Sequence, residues 1–146
     1  MELQITALKN GTVIDHLPSD KTIKIMDLLD LGNKEDKVTV AFNVDSKKDG
    51  KKGIIKISER KLSEKEMEKI GILAQGSTVN IIESYRVVEK KIIKLPKLLK
   101  DIVECPNAKC ISNIENIRSK FELEENNKIR CSYCERTVAI EEAIIK

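Results

Sequence analysis

The sequence predicts an α+β chain in two parts: an antiparallel sheet carrying two helices, then a small all-β segment built around a metal. Three observations carry that expectation. Over the first two thirds, short runs alternate apolar and polar residues with the period of a strand, and two stretches between them carry a helical stripe. All four cysteines fall in the last third, as Cys105 and Cys110, then Cys131 and Cys134. With 146 residues, no Trp, two Phe and two Tyr, the cores must be aliphatic, and Ile is frequent.

Leu3 to Leu8 alternates, with Leu3, Ile5 and Ala7 on one face, and reads as a strand. Asn10-Gly11 is a turn signal, and Thr12 to Leu17 reads as a second strand ended by Pro18. Ser19 or Asp20 caps a helix to about Leu31, with Thr22, Ile25, Met26 and Leu29 inward and Gly32-Asn33 as its stop. Val38, Val40, Phe42 and Val44 form one face of a strand, Asp45 to Lys52 a polar hairpin loop, and Ile54 to Ile57 the return. Ser63 with Glu66 makes a capping box, which opens a helix with Met67, Ile70 and Leu73 or Ala74 inward. Gly76-Ser77 breaks it; Thr78 to Val88 is the longest β-prone run, and Lys90 to Pro96 reads as a basic linker. The order β-β-α-β-β-α-β predicts a ferredoxin-like antiparallel sheet with both helices on one face, spanning residues 1–96.

Residues 97–146 form the second unit, a zinc-ribbon or rubredoxin-like fold. A short helical turn is expected near Leu98, with strands at Phe121 to Leu123 and Thr137 to Ile140, a polar turn at Glu124 to Lys128, and Ile102-Val103 and Ile129-Arg130 leading into the cysteine pairs. Two close cysteine pairs supply the four soft donors of a tetrahedral zinc. Iron in a four-thiolate site has nothing else to support it, and disulfides are rare in the cytoplasmic location expected from the absence of a leader before Met1-Glu2-Leu3. Four thiolates fill the shell, and the single histidine, His16, is remote in sequence, so the metal is expected to be structural. A segment this short usually needs such a staple.

Three features of residues 1–96 look chemical. Asp15-His16 closes a strand before Pro18; Lys52 and Lys56 share one strand face with Ile54; Lys90 and Lys91 close the long β run. Lysines converging near strand ends can clamp a polyphosphate, and Asp15 can accept hydrogen bonds from a ribose. The competing interpretation is a solvated Lys-rich face with ordinary turn chemistry. Neither G-x-x-x-x-G-K-[ST] nor G-x-G-x-x-G occurs. The inventory for catalysis is thin, with no H-E-x-x-H, no G-x-S-x-G and no cysteine outside the cluster, so a non-catalytic role is expected. Net charge is +3, divided as +4 over residues 1–97 (19 Lys+Arg, 15 Asp+Glu) and −1 over residues 98–146 (8 against 9). A nucleic-acid-binding or transcription-associated zinc ribbon, the alternative function, would be expected to be basic in that second segment.

Gly11-Thr12-Val13-Ile14-Asp15-His16-Leu17-Pro18, Thr78-Val79-Asn80 with Tyr85, Val87 and Val88, Cys105-Pro106-Asn107 with Cys110-Ile111, and Cys131 with Tyr133-Cys134-Glu135 occur in that order. In these motifs the chain resembles the regulatory chains of aspartate carbamoyltransferase over essentially its whole length. The resemblance implies a domain that binds CTP as inhibitor and ATP as activator. It implies nucleotide contacts from Asp15, His16, Lys52, Lys56 and Lys90, with Ile5, Ala7, Val13, Ile54, Asn80, Ile82, Tyr85 and Val87 around base and sugar. It also implies one structural zinc on Cys105, Cys110, Cys131 and Cys134, and docking on the catalytic chain through Asn107, Lys109, Tyr133, Glu135 and Arg136. Self-dimers formed through residues 1–96 would bridge two catalytic trimers in pyrimidine biosynthesis. No nucleic-acid or membrane partner is implied. Lys109 stands where the best-known members have Asn, and the loop Glu124 to Lys128 is shorter and more acidic than theirs.

Overall fold

The computed structural model describes residues 8–33, 35, 37–47 and 50–146, so the expected first strand, apart from Leu8, lies outside the described residues. The chain from Gly11 to Ile92 runs β1 (Gly11–Leu17), α1 (Thr22–Leu28), β2 (Val38–Ser46), β3 (Gly50–Ser58), α2 (Glu64–Ala74), β4 (Thr78–Glu83) and β5 (Arg86–Ile92). These strands form one antiparallel sheet in the order β2-β3-β1-β4-β5. Each helix joins two parallel strands across an intervening one, α1 from β1 to β2 and α2 from β3 to β4. That is the split βαβ pair of the ferredoxin-like plan, with β5 added at the edge.

Alternation along the strands decides the layers. Ile14, Ile55, Ile57 and Val79 point to the side on which Ile25, Leu29, Ile70 and Ala74 of the helical segments close the core. The capping box forms as expected: Ser63 Oγ accepts from Glu66 N–H at 3.1 Å, and Glu66 Oε1 accepts from Ser63 N–H at 3.0 Å. Partial burial pushes the Glu66 carboxyl up, but the Ser63 N–H and Arg60 outweigh it and hold it below its usual range. Arg60 also donates to Leu29 O, so one guanidinium ties the end of α1 to the start of α2. Gly53 permits the close approach of α1: a Cβ there would meet Thr22 Oγ1 at 1.9 Å.

Several boundaries differ from expectation. The polar run Asp45 to Lys52 is largely strand, with Asp45 opposite Lys51 and Ser46 opposite Gly50. Ser19 does not cap α1; its hydroxyl accepts from Asn43 N–H, residues 19–21 make a 3-10 turn, and α1 ends early because Asp30 turns left-handed at φ 56. Thr78 to Val88 is a hairpin rather than one strand, reversed by Ser84 and Tyr85 at φ 50 and 68. Lys90 to Ile92 therefore belong to β5, not to a linker. The ladder is irregular in β1 between Ile14 and Leu17, in β2 between Ala41 and Val44, and in β5, where Val87 pairs with Ile82 but Glu89 pairs with Ile81.

Beyond Leu95 come β6 (Leu98–Lys100), β7 (Val103–Glu104), α3 (Ile111–Ile114), β8 (Lys120–Glu124), β9 (Lys128–Cys131), β10 (Thr137–Ala139) and β11 (Ile144–Ile145). The expected helical turn at Leu98 is instead β6, because burying Leu99 and pairing it with Phe121 of β8 satisfies both side chain and backbone. The main sheet here is β10-β9-β8-β6, with β11 paired to β7. Asn126 and Asn127, both at positive φ, turn β8 into β9. Phe121, Leu99, Ile102 and Ile129 form the second core with three of the cysteines. Ile72 of α2 and Leu95 also belong to it, so α2 packs on both cores. No helix among the described residues is long and apolar enough to cross a membrane.

Candidate ligand face and metal centre

The sheet face away from the helices gathers most of the residues expected to bind a ligand. Register does this directly. Lys56 of β3 stands opposite Val13 of β1, Val13 opposite Asn80 of β4, and Asn80 opposite Lys90 of β5. Four strands at about 4.8 Å spacing put the two lysine backbones about 14 Å apart, with Val13 and Asn80 as the floor between them. Ile54 and Lys52 follow Lys56 along β3 on the same face, and Ile82 and Val87 form the neighbouring cross-strand pair. The bulge in β5 is what brings Val87 and Lys90, three residues apart, to one face.

Asp15 sits beside this row, opposite Thr78. Its carboxylate is 2.9 Å from Lys52 Nζ, and both side chains are mostly covered, at 24% and 15% exposure. His16 turns left-handed at φ 57, donates its N–H to Asp15 Oδ1 at 2.6 Å, and places Nε2 4.0 Å from Oδ2. Burial pushes the Lys56 ammonium below its usual range. The face thus offers two separated ammonium groups, an oriented carboxylate, an amide and an apolar floor, a set able to hold an anionic ligand with an apolar body.

Not every expected residue converges. Lys91 falls on the helix side, 3.4 Å from Glu89 and lining a groove with Glu64 and Met67 of α2, so it does not act beside Lys90. Tyr85 lies in the β4–β5 turn, well exposed, where its N–H donates to Lys9 O. Ile5 and Ala7 lie outside the described residues. Thr78, buried opposite Asp15, is the addition the sequence reading passed over; its alternation with Asn80 and Ile82 was the available signal.

The four cysteines meet as the spacing demanded, with all four Sγ within 4.8 Å of one another. Cys105 and Cys134 are 3.6 Å apart and Cys110 and Cys131 3.7 Å, each pair drawn from the two different loops. Four sulfurs at about 2.3 Å from a central zinc lie about 3.8 Å apart, so the cage already has the tetrahedral edge. A disulfide would need about 2.05 Å. The donor set fits one structural zinc.

The loops are held independently. Asn113 donates to Cys105 O at 2.9 Å and Asn107 O at 2.8 Å, and Cys131 O accepts from Glu135 N–H at 2.9 Å. Burial pushes the Cys105 thiol up to about 12. At Cys110 burial acts the same way, but the Ser112 hydroxyl and N–H and the neighbouring thiols outweigh it and bring the group to about 7. A divalent cation would hold all four as thiolates and cross-link the loops. The expected docking residues Asn107, Lys109, Tyr133, Glu135 and Arg136 all sit on these cysteine loops, and α3 adds Ile111 and Ile114, both exposed.

Residues 3–94 match the family model for the aspartate carbamoyltransferase regulatory chain, allosteric domain, and residues 97–144 that for its metal binding domain. The chain belongs to the aspartate carbamoyltransferase regulatory chain family. It is 47% identical over 136 residues to the regulatory chain of Bacteroides fragilis, covering 92% of this chain and 89% of that one. It is 44% identical over 147 residues to the regulatory chain of Pyrococcus horikoshii, covering 98% and 97%. A regulatory chain is a non-catalytic subunit, and the cysteine cage lies in the part that matches the family's metal binding domain.

Proposed function

We propose that the open sheet face is the effector site of an allosteric subunit of aspartate carbamoyltransferase, binding CTP as inhibitor and ATP as activator. The observation that carries this is the row Lys56, Val13, Asn80, Lys90 flanked by the Asp15–Lys52 pair. Lys56 and Lys90 would serve the phosphates and the ribose between them, with Lys52 at the margin. Asp15, kept in place by Lys52 and the His16 N–H, would accept from the ribose, with His16 beside it. Val13, Ile54, Asn80, Ile82 and Val87, with Ile5 and Ala7, would surround base and sugar, with Tyr85 outside that ring in the β4–β5 turn.

Residues 1–96 form the effector-binding domain in this reading, and residues 97–146 the zinc domain. Asn107, Lys109, Tyr133, Glu135 and Arg136 would grip the catalytic chain, with Ile111 and Ile114 supplying apolar contact. Regulatory chains would pair through residues 1–96, and three such dimers would bridge two catalytic trimers in the cytoplasm, in pyrimidine biosynthesis. Effectors alter catalysis only by binding the two quaternary states unequally, with a coupling of about 1–3 kcal/mol. Calorimetric titration of CTP and ATP into the zinc-loaded chain tests the site. One saturable site is expected, weakened about 10- to 100-fold in Lys56→Ala and in Lys90→Ala and unaltered in Lys128→Ala. Equal affinity in all three variants would refute it.

A further inference from the structure

A second cationic cleft lies where α2 meets β6 and the start of β8, and one side of it is closed by the Cys131–Cys134 loop through Tyr133. Lys65, Lys100, Asp101, Arg118, Lys120 and Tyr133 line it. Its carboxylate is already committed: Asp101 holds Lys65 Nζ at 3.0 Å on one oxygen and Lys146 Nζ at 2.7 Å on the other. Lys100 and Lys120 stand directly opposite each other on β6 and β8, a like-charge pair that weakens a sheet. Arg118 lies two residues before Lys120, and its carbonyl oxygen accepts from the Tyr133 hydroxyl at 3.4 Å. Among the described residues, Lys100, Arg118 and Lys120 form no ion pair.

General basicity does not explain the cluster. Residues 98–146 carry a net −1, and the neighbouring cross-strand pair on the same strand β8 is complementary, Glu122 facing Arg130 at 2.9 Å. The repulsive pair therefore lies at a concave place where α2 and the second sheet meet. We propose that this cleft is a second anion site, separate from the open face of the first sheet, and that it takes a compact phosphate-bearing small molecule. Lys100 and Lys120 supply point charges from one wall, Arg118 a planar fork, and Lys65 a charge from α2. A concave site with cations on three chain segments suits a small anion better than a flat macromolecular surface. The bound anion would tie α2 to β6 and β8 and relieve the lysine repulsion.

Inorganic pyrophosphate is the probe. It is titrated at low ionic strength into the full zinc-loaded chain and followed through backbone amide shifts. Saturable shifts at Ser119, Lys120 and Tyr133 are expected. In Lys100→Gln/Lys120→Gln the affinity read at those amides falls at least about tenfold, while shifts on β3 to β5 persist. Lys56→Ala/Lys90→Ala should do the reverse, so failure of this site and failure of the effector face are distinguishable. The glutamine pair removes a repulsion, so its melting temperature without anion should equal or exceed that of the unsubstituted chain. The same cleft affinity in the glutamine variant, no cleft shifts at saturating pyrophosphate, or uptake of a polyglutamate peptide in place of pyrophosphate would each overturn the proposal.

Discussion

The two sheets solve the same problem by different means. The first buries isoleucines between five strands and two helices, which leaves its opposite face free to carry polar chemistry. The second has short strands and no helix longer than four residues, and three of its four cysteines are buried in its core. Where the chain is long enough to bury an aliphatic layer, function can be laid out on the other side by register alone. Where it is short, the cross-link takes the place of missing hydrocarbon. The contrast is not a clean separation, because α2 lends Ile72 to the second core while Ile70 and Ala74 serve the first.

The strongest way to break this comparison is to remove the metal. Chelation should abolish dispersed amide signals for residues 98–146 while β1 to β5 keep theirs, since metal binding is folding free energy for the part that needs it. Survival of both sheets would show that the second core stands on packing. Ile72→Ala comes next, at about 2–5 kcal/mol. Hydrogen exchange should show its loss in β8 and β9 as well as in α2; a loss confined to α2 would separate the two cores. Gly53→Ala should cost about 1–3 kcal/mol through the clash with Thr22. Thr22→Ala in the same chain should recover part of that in denaturant unfolding, and strict additivity would deny the contact. The smallest effect concerns the junction. The Lys146 and Lys65 ammonium groups hold Asp101 down to about 2, against a usual 3.8. A depressed carboxyl contributes above its unfolded value and stops contributing as pH falls through the folded one. Asp101→Asn should therefore flatten the stability profile between about pH 4 and pH 2, lowering stability slightly above that window and leaving it unchanged below. A profile parallel to that of the unsubstituted chain would count against the pairing.

Much of this was legible in residue types that act locally. Ser63 and Glu66 specify a capping box wherever they fall, and two close cysteine pairs specify a four-thiolate cage without knowledge of the sheet between them. Lys52, Ile54 and Lys56 could be assigned to one face because β3 is regular there. What escaped depends on partners distant in sequence. Ser84-Tyr85 carries no Gly or Asn, yet it reverses the chain where Lys9 and Asn10 receive its N–H groups. The strand at Leu98 exists because β8 offers it an edge. Lys91 could not be told from Lys90 until the bulge had been located.

That bulge carries a consequence for the sign of the face. Were the ladder regular through Val88, Glu89 would stand opposite Asn80, and Lys90 would turn toward the helices. A phosphate-binding position would become a phosphate-repelling one with every residue type unchanged. The polarity of this surface is thus set by parity, by whether an odd or even count of residues separates Val87 from the last strand's charges. Deleting Val88 would restore a regular strand and keep Lys90 in place, whereas an insertion on the Lys90 side of the bulge would invert the charge. Along this strand, length variation is as consequential as substitution.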